Sequence, residues 1–191
     1  MNTRRIFKSR TSRQSEVLDV LSSLLVAEIA QPSAELWIVS PWITDLDLLD
    51  NRTGRFDYLE PAWGQRQVQT SELLARAVAN GGTLKVMTNE TQHNARFIRQ
   101  LTERVANYGM LDNLYIGQKE VLHTKGFLGD HFFLSGSMNL TIGGIVINDE
   151  YFNNRHTLLY YTISLHFNLH SSLHFHSILL SLHLVGSQKI W

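Results

Sequence analysis

Apolar residues recur at intervals of three and four in three stretches of the chain, which is the spacing of an amphipathic helix. The first stretch begins at Ser15, and its apolar positions are Leu18, Leu21, Leu25 and Ile29. The second and third cover residues 71–79 and about 90–108. The pattern therefore predicts three helices, each with one face buried against another layer.

Short, continuous apolar runs separate these stretches, at residues 36–39, 84–87 and 114–116. Such runs are typical of strands buried on both faces. Their alternation with helices predicts an α/β domain, with a mixed, mostly parallel sheet flanked by helices. Two later runs, 122–128 and 132–134, are separated by Gly129-Asp130-His131 and predict a hairpin added to that sheet.

The pattern changes after Glu150. From Tyr151 onward the chain has no Asp or Glu, and it holds six of the nine histidines. Strand-like alternation at Ile163, Leu165, Phe167 and Leu169 conflicts with the helical spacing of His166, His170 and His174. We interpret residues 152–191 as an atypical ending, frameshifted or otherwise non-native, and the histidines as compositional bias rather than a metal site.

Composition excludes some classes of protein and leaves others open. Seventeen basic and seventeen acidic residues cancel, so the net charge does not indicate an acidic partner. Cysteine is absent, which excludes disulfides and thiolate zinc sites and favours the cytoplasm. The sequence shows neither a secretion signal nor, before residue 156, an apolar run of membrane-spanning length, so we predict no stable membrane insertion.

Residues 1–14 form a basic start to the chain. Its five basic residues are Arg4, Arg5, Lys8, Arg10 and Arg13. Such an arm is compatible with contacts to a phosphate backbone, although a solvated tail would have the same composition.

Candidate chemistry is concentrated between residues 123 and 139. If residues 122–128 form a strand, His123 and Lys125 project from the same face. A neutral imidazole can attack phosphorus, while the Lys125 ammonium and the donors of Ser137 and Asn139 neutralise the non-bridging oxygens. The Glu150 carboxylate, if near, would orient the imidazole by accepting its other N–H.

Each of these residues also has an ordinary structural explanation. A single histidine or lysine in a strand is more often a core, edge or surface residue. Gly136 and Asp130 are common turn residues. The combination, rather than any one residue, indicates a site.

The pattern His123-x-Lys125-(four residues)-Asp130, followed by Gly136-Ser137-x-Asn139, resembles the signature of the phospholipase D superfamily. The likeness continues through Thr141, Gly144 and Asn148 to Glu150, and Ser40-Pro41-Trp42 resembles the segment that these proteins place beside the active site. Five residues separate Asp130 from Gly136, where six are more usual. The similar parts define a domain over residues 15–151.

The resemblance implies a catalytic set, a phosphate-binding set and a supporting set. The catalytic residues would be His123, Lys125, Asn139 and Glu150, with Lys125, Ser137 and Asn139 binding phosphate and with Asp130, Gly136, Ser40 and Trp42 in support. It also implies a phosphohistidine mechanism with no metal or cofactor, in which a second histidine protonates the leaving oxygen. Because the chain carries one copy of the motif, that histidine would come from a second chain in a homodimer.

Residues 37–50 and the basic start are similar, more narrowly, to phospholipase D-like proteins encoded in bacterial clusters for 7-deazaguanine modification of DNA. This likeness implies DNA as substrate and other proteins of a DNA modification or restriction system as partners. Two alternatives remain open: a phospholipid hydrolase or transferase, and a non-catalytic DNA-binding subunit that retains the fold.

Overall fold

The computed structural model describes residues 3–8, 15–147 and 150–155, with side chains from residue 17 to residue 145. The predictions for residues 156–191, including the frameshift and His166, His170 and His174, lie outside the described residues.

The described residues form strands and helices in the following order. They are β1 (Thr3–Lys8), α1 (Ser15–Ala30), β2 (Glu35–Val39), β3 (Asp47–Asp50), β4 (Gln67–Gln69), α2 (Thr70–Ala79), β5 (Thr83–Asn89), α3 (Gln92–Asn107), β6 (Leu114–Lys119), β7 (Gly126–Leu128), β8 (Phe133–Gly136) and β9 (Glu150–Arg155). Short 3-10 turns at Pro61–Trp63 and Leu111–Asn113 and a π-helical turn at Gly143–Ile147 complete the described elements.

Seven strands make one sheet in the order β1-β9-β8-β7-β2-β5-β6, and β3 pairs with β4 in a separate two-stranded sheet. The strands β2, β5 and β6 are parallel neighbours, whereas the pairs from β2 through β7, β8 and β9 to β1 are antiparallel. Five strands of the large sheet therefore run in one direction, and β7 and β9 run in the other. The mixed, mostly parallel sheet predicted from the sequence is confirmed.

The core lies between the sheet and the helices. Both crossovers, from β2 to β5 and from β5 to β6, step in the same direction, so right-handed connections place α2 and α3 on one face. The two helices pack against each other, and α1 packs against α2. Alternate strand residues, such as Ile38 and Val86, are fully buried in one cluster with the apolar face of α1, including Leu25 and Ile29.

Three features of the fold differ from the sequence predictions. Residues Thr3–Lys8 form an edge strand paired with β9, where a basic arm was predicted. The β3–β4 pair was not predicted. The predicted strand over residues 122–128 is wrong at its start, because β7 begins at Gly126.

The boundary predicted at residue 151 falls inside β9, which continues the sheet to Arg155. Among the described residues, no helix is both long and apolar enough to cross a membrane.

Candidate active site

The candidate site lies where the parallel strands end. Chain segment 120–125 leaves β6 at Lys119 and enters β7 at Gly126, which pairs with Val39 at the end of β2. Because β5 lies between β6 and β2, this segment crosses the carboxyl ends of β5 and β2. Ligands bind at this edge in open α/β sheets.

Segment 120–125 is not part of the sheet because β2 ends at Val39 and has no further residues that could form ladder hydrogen bonds with it. After Val39 the chain turns away through Ser40 and Pro41, and proline has no N–H to donate to a ladder. His123 and Lys125 consequently lie in a loop rather than on a strand. His123 is exposed and Lys125 is half-buried, and the Lys125 Nζ donates to the His123 carbonyl oxygen at 2.8 Å.

Ser40 joins the end of β2 to the segment that carries Asn139. The Ser40 Oγ donates to the Trp42 carbonyl oxygen at 2.8 Å and accepts from the Leu140 N–H at 3.1 Å. Ser40 is 2% exposed, so the hydroxyl is a buried link rather than a surface donor. The Trp42 side chain is 44% exposed and does not line the pocket described below.

Asn94 holds the same loop from the other side, and the sequence analysis missed it. Its Oδ1 accepts from the Ile43 N–H at 2.9 Å, and its Nδ2 donates to the Pro41 carbonyl oxygen, the Thr88 Oγ1 and the Asn89 carbonyl oxygen. The one available signal was its position in the first turn of a helix. Asparagine is unfavourable inside helices unless its amide has other partners.

Gly136 ends β8 and is followed by the turn that carries Ser137 and Asn139. Both of these side chains are half-buried, and the Asn139 Oδ1 is enclosed without a hydrogen-bond partner among the described residues. Gly144 packs directly on this turn: a Cβ at Gly144 would lie 2.3 Å from the Asn139 carbonyl oxygen. Glycine at position 144 therefore determines where the Asn139 backbone lies.

These elements bring Lys125, Ser40, Gly136 and Asn139 to one pocket. The space they enclose is about 10 Å³, which is roughly room for one water molecule. A ligand larger than a water molecule would therefore have to bind over the pocket rather than inside it.

Asp130 lies at the opposite edge of the sheet. Its Oδ2 accepts from the Ala34 N–H at 2.9 Å, just before β2, and its own N–H donates to the Ser33 Oγ at 2.8 Å. Ser33 in turn donates to Glu28, whose pKa is raised because the carboxyl group is buried. The structure therefore does not bring Asp130 together with Lys125 and Asn139.

Glu150 begins β9, and its backbone pairs with Lys8. The predicted contact of its carboxylate with His123 lies outside the side chains that the structure describes. Within the described part of the chain, no group of three or more His, Asp or Glu side chains is arranged to hold a metal ion.

No family model matches the sequence, and neither does any curated protein. Solved structures do match, at low sequence identity. The chain is similar to Nuc, a phospholipase D family member from Salmonella typhimurium, with a TM-score of 0.52 and 15% identity over 86% of this chain and 88% of that one. This likeness shows that the protein has a phospholipase D-like fold.

Two larger proteins contain a similar fold. Phosphatidylserine synthase from Haemophilus influenzae matches with a TM-score of 0.53 and 12% identity, over 85% of this chain and 36% of that one. Polyphosphate kinase from Porphyromonas gingivalis matches with a TM-score of 0.52 and 14% identity, over 81% of this chain and 21% of that one. The fold therefore occurs alone and as part of longer chains.

Proposed function

We propose that this protein is a phosphodiesterase that cleaves DNA through a phosphohistidine intermediate on His123. One observation carries the proposal: Lys125 lines a pocket with Ser40 and Asn139 while its ammonium donates to the backbone of His123. The proposed nucleophile and Lys125 lie in one loop at the carboxyl edge of the sheet, and Asn139 lines the same pocket as Lys125 from the turn after β8.

In the proposed first step, a neutral His123 imidazole attacks phosphorus and the bond to the leaving oxygen breaks. A second imidazole, His123 of another copy of this chain, gives its proton to that oxygen. In the second step, water attacks the phosphohistidine and gives its proton to the same second imidazole, which regenerates both histidines. This sequence needs one imidazole in each protonation state near neutral pH.

Lys125 and Asn139 would stabilise the transition state electrostatically. The ammonium has three donors, and one is used by the His123 carbonyl oxygen, which leaves two for the non-bridging oxygens of the phosphate. The amide of Asn139 lines the same pocket and supplies further donors. Fixed donors of this kind act where negative charge develops.

A homodimer completes the proposed site, because one chain supplies one histidine. Light scattering should give twice the chain mass. A monomer that retains full activity would contradict the shared site.

DNA is proposed as substrate because of the likeness of residues 37–50 and the basic start to proteins of DNA-modification clusters. The partners would then be other proteins of such a system in the cytoplasm. If the basic start contacts phosphates, replacing Arg4, Arg5 and Lys8 by glutamine should flatten the salt dependence of DNA binding.

A second candidate function is phospholipid hydrolysis or transfer, which uses the same chemistry on a different diester. The fold likeness to a phosphatidylserine synthase, with a TM-score of 0.53, favours it as the alternative.

The test is incubation of the purified protein with plasmid, single-stranded DNA and phospholipid vesicles, each with and without EDTA. We expect cleavage of DNA, unchanged by EDTA, and its loss in His123→Asn. His131→Asn is the matched control, since His131 is an exposed histidine in the turn next to Asp130, at the other edge of the sheet. Cleavage of lipid alone would favour the second candidate, and full dependence on added metal would contradict the mechanism.

A further inference from the structure

A second cavity, of about 390 Å³, lies beside the candidate active site. We call it the α3 cavity; its polar lining consists of Thr44, Asp45, Gln69, His93, Arg96 and Gln100. Its volume is within the range of small-molecule sites, about 300–1,000 Å³.

One pair of bridged residues separates the α3 cavity from the pocket that Lys125 and Asn139 line. Ile43 lines the cavity, Leu140 lines the pocket, and the two are bridged in parallel, with the Thr44 N–H donating to the Leu140 carbonyl oxygen at 2.8 Å. Leu140 directly follows Asn139. A chain molecule with its phosphate over Asn139 can thus place the neighbouring unit in the α3 cavity.

Three of the nine residues that line the cavity are apolar. Ile43 and Phe97 are buried beneath the cavity, and Ile142 is 54% exposed at its edge. The other six lining residues are polar or charged. An acyl chain would leave these polar groups without partners, whereas a heteroaromatic ring can cover the apolar wall with its face and bond to the polar groups at its edge.

The charges in the lining do not favour a bare anion. Asp45 contributes a carboxylate, held by the Ser71 N–H at 2.9 Å and the Ser71 Oγ at 2.6 Å. Arg96 is exposed and contributes a positive charge to the same lining. A neutral polar group inside the cavity can donate a hydrogen bond to the Asp45 carboxylate, while a phosphate outside the cavity can pair with the Arg96 guanidinium.

Two glutamine amides supply donors and acceptors for such an edge. The Gln69 Oε1 accepts from Arg104 at 2.8 Å, which fixes the amide and leaves its Nε2 as a donor. The Gln100 Oε1 is enclosed and has no hydrogen-bond partner within the described part of the chain. A ligand donor reaches this enclosed oxygen once the half-buried Gln100 side chain turns toward the cavity, and the new hydrogen bond displaces no existing partner of that oxygen.

We propose that the α3 cavity binds a nucleobase of the nucleotide next to the cleaved phosphate. The proposal rests on the proposed function and adds a base-binding subsite to it. Gln100 is a specificity residue in this account and takes no part in the chemistry.

The test compares Gln100→Leu with Gln92→Leu, a matched change at an exposed glutamine at the start of the same helix. Calorimetry measures binding of the four deoxynucleoside 5′-monophosphates and of 2-deoxyribose 5-phosphate to the full chain. We expect wild type to bind at least one nucleotide more tightly than the sugar phosphate. Gln100→Leu should weaken that nucleotide by about threefold to tenfold, the worth of one hydrogen bond, and leave the sugar phosphate unchanged. Gln92→Leu should behave as wild type.

The outcomes separate this proposal from the proposed function. Absence of cleavage of any diester refutes the proposed function, but the binding comparison needs no turnover and still tests the cavity. Equal binding of nucleotides and sugar phosphate by wild type overturns the subsite, and so does an unchanged nucleotide affinity in Gln100→Leu. If Gln100→Leu instead weakened the binding of a short-chain phosphatidic acid relative to wild type, the cavity would be assigned to lipid and the nucleobase subsite would be overturned. Thermal unfolding checks the variant, whose stability should not fall, because the substitution removes an unpaired acceptor.

Discussion

Replacement of Asn94 by leucine tests whether one buried amide holds the loop beside the candidate site. The two side chains have the same branched shape and leucine is the larger, so the substitution removes hydrogen bonds without opening a cavity. Among the described residues the Ile43 N–H has Asn94 as its hydrogen-bond partner, and its loss leaves a buried donor unpaired, at about 1–3 kcal/mol. The Pro41 carbonyl oxygen keeps other donors, from Thr88 and Asn89.

The two Nδ2 hydrogens share three acceptors, and their net loss adds roughly 0.5 kcal/mol each, so Asn94→Leu should lower the free energy of unfolding by about 3 kcal/mol. Urea unfolding followed by circular dichroism measures this change. Asn107→Leu is the matched control, because Asn107 is exposed at the end of the same helix and should change stability by no more than about 0.5 kcal/mol. A loss below about 1 kcal/mol in Asn94→Leu, or an equal loss in the control, would refute the reasoning.

Three further predictions follow from the close packing around the site and the opposite edge. Gly144→Ala should reduce kcat by about tenfold or more, because the new Cβ would displace Asn139. Gly143→Ala is the control and should be tolerated, since the nearest atom to its Cβ is 3.9 Å away. Burial raises the pKa of Glu28 above 4.5, so the native state binds the proton more tightly than the unfolded state does. The stability of the wild type should therefore fall as the pH rises from about 4.5 through the raised pKa. Urea midpoints measured across this range should show the fall in wild type and not in Glu28→Gln. Asp130→Ala should cost about 1–2 kcal/mol of stability and leave kcat of the folded protein unchanged.

Each of these has a clear contrary result. Equal activity of the two alanine variants at positions 143 and 144 would show that the close contact is not required. A wild-type stability that rises over the same pH range would show the opposite sign for Glu28. A large loss of kcat in stably folded Asp130→Ala would place Asp130 in the reaction despite its position.

The elements with local signals were predictable from the sequence. The apolar spacing from Leu18 to Ile29 depends only on helix geometry, and α1 indeed runs from Ser15 to Ala30. The continuous runs at β2 and β5 likewise mark strands whose two faces are both buried. The parallel part of the sheet follows from the alternation of such strands with helices.

Features that depend on distant partners were not predictable. β1 exists because Thr3–Lys8 meets β9, about 150 residues later in the chain, and nothing in its basic sequence indicates that partner. The start of β7 is set by where β2 ends, not by the apolar pattern around Leu122. Asn94 was missed because its hydrogen bonds with the Ile43 N–H and the Pro41 carbonyl oxygen reach a loop 51 and 53 residues earlier in the chain, which the sequence does not show to be near.

The central claim is that His123 becomes covalently bound to phosphorus. The most direct measurement is mass spectrometry of protein that has been quenched during turnover of an oligonucleotide, then digested under conditions that preserve phosphohistidine. We expect a phosphate or nucleotide adduct on the peptide Glu120–Lys125, and we expect both the adduct and the activity to be lost in His123→Asn. Turnover that continues in His123→Asn, with no adduct on that peptide in wild type, would contradict it.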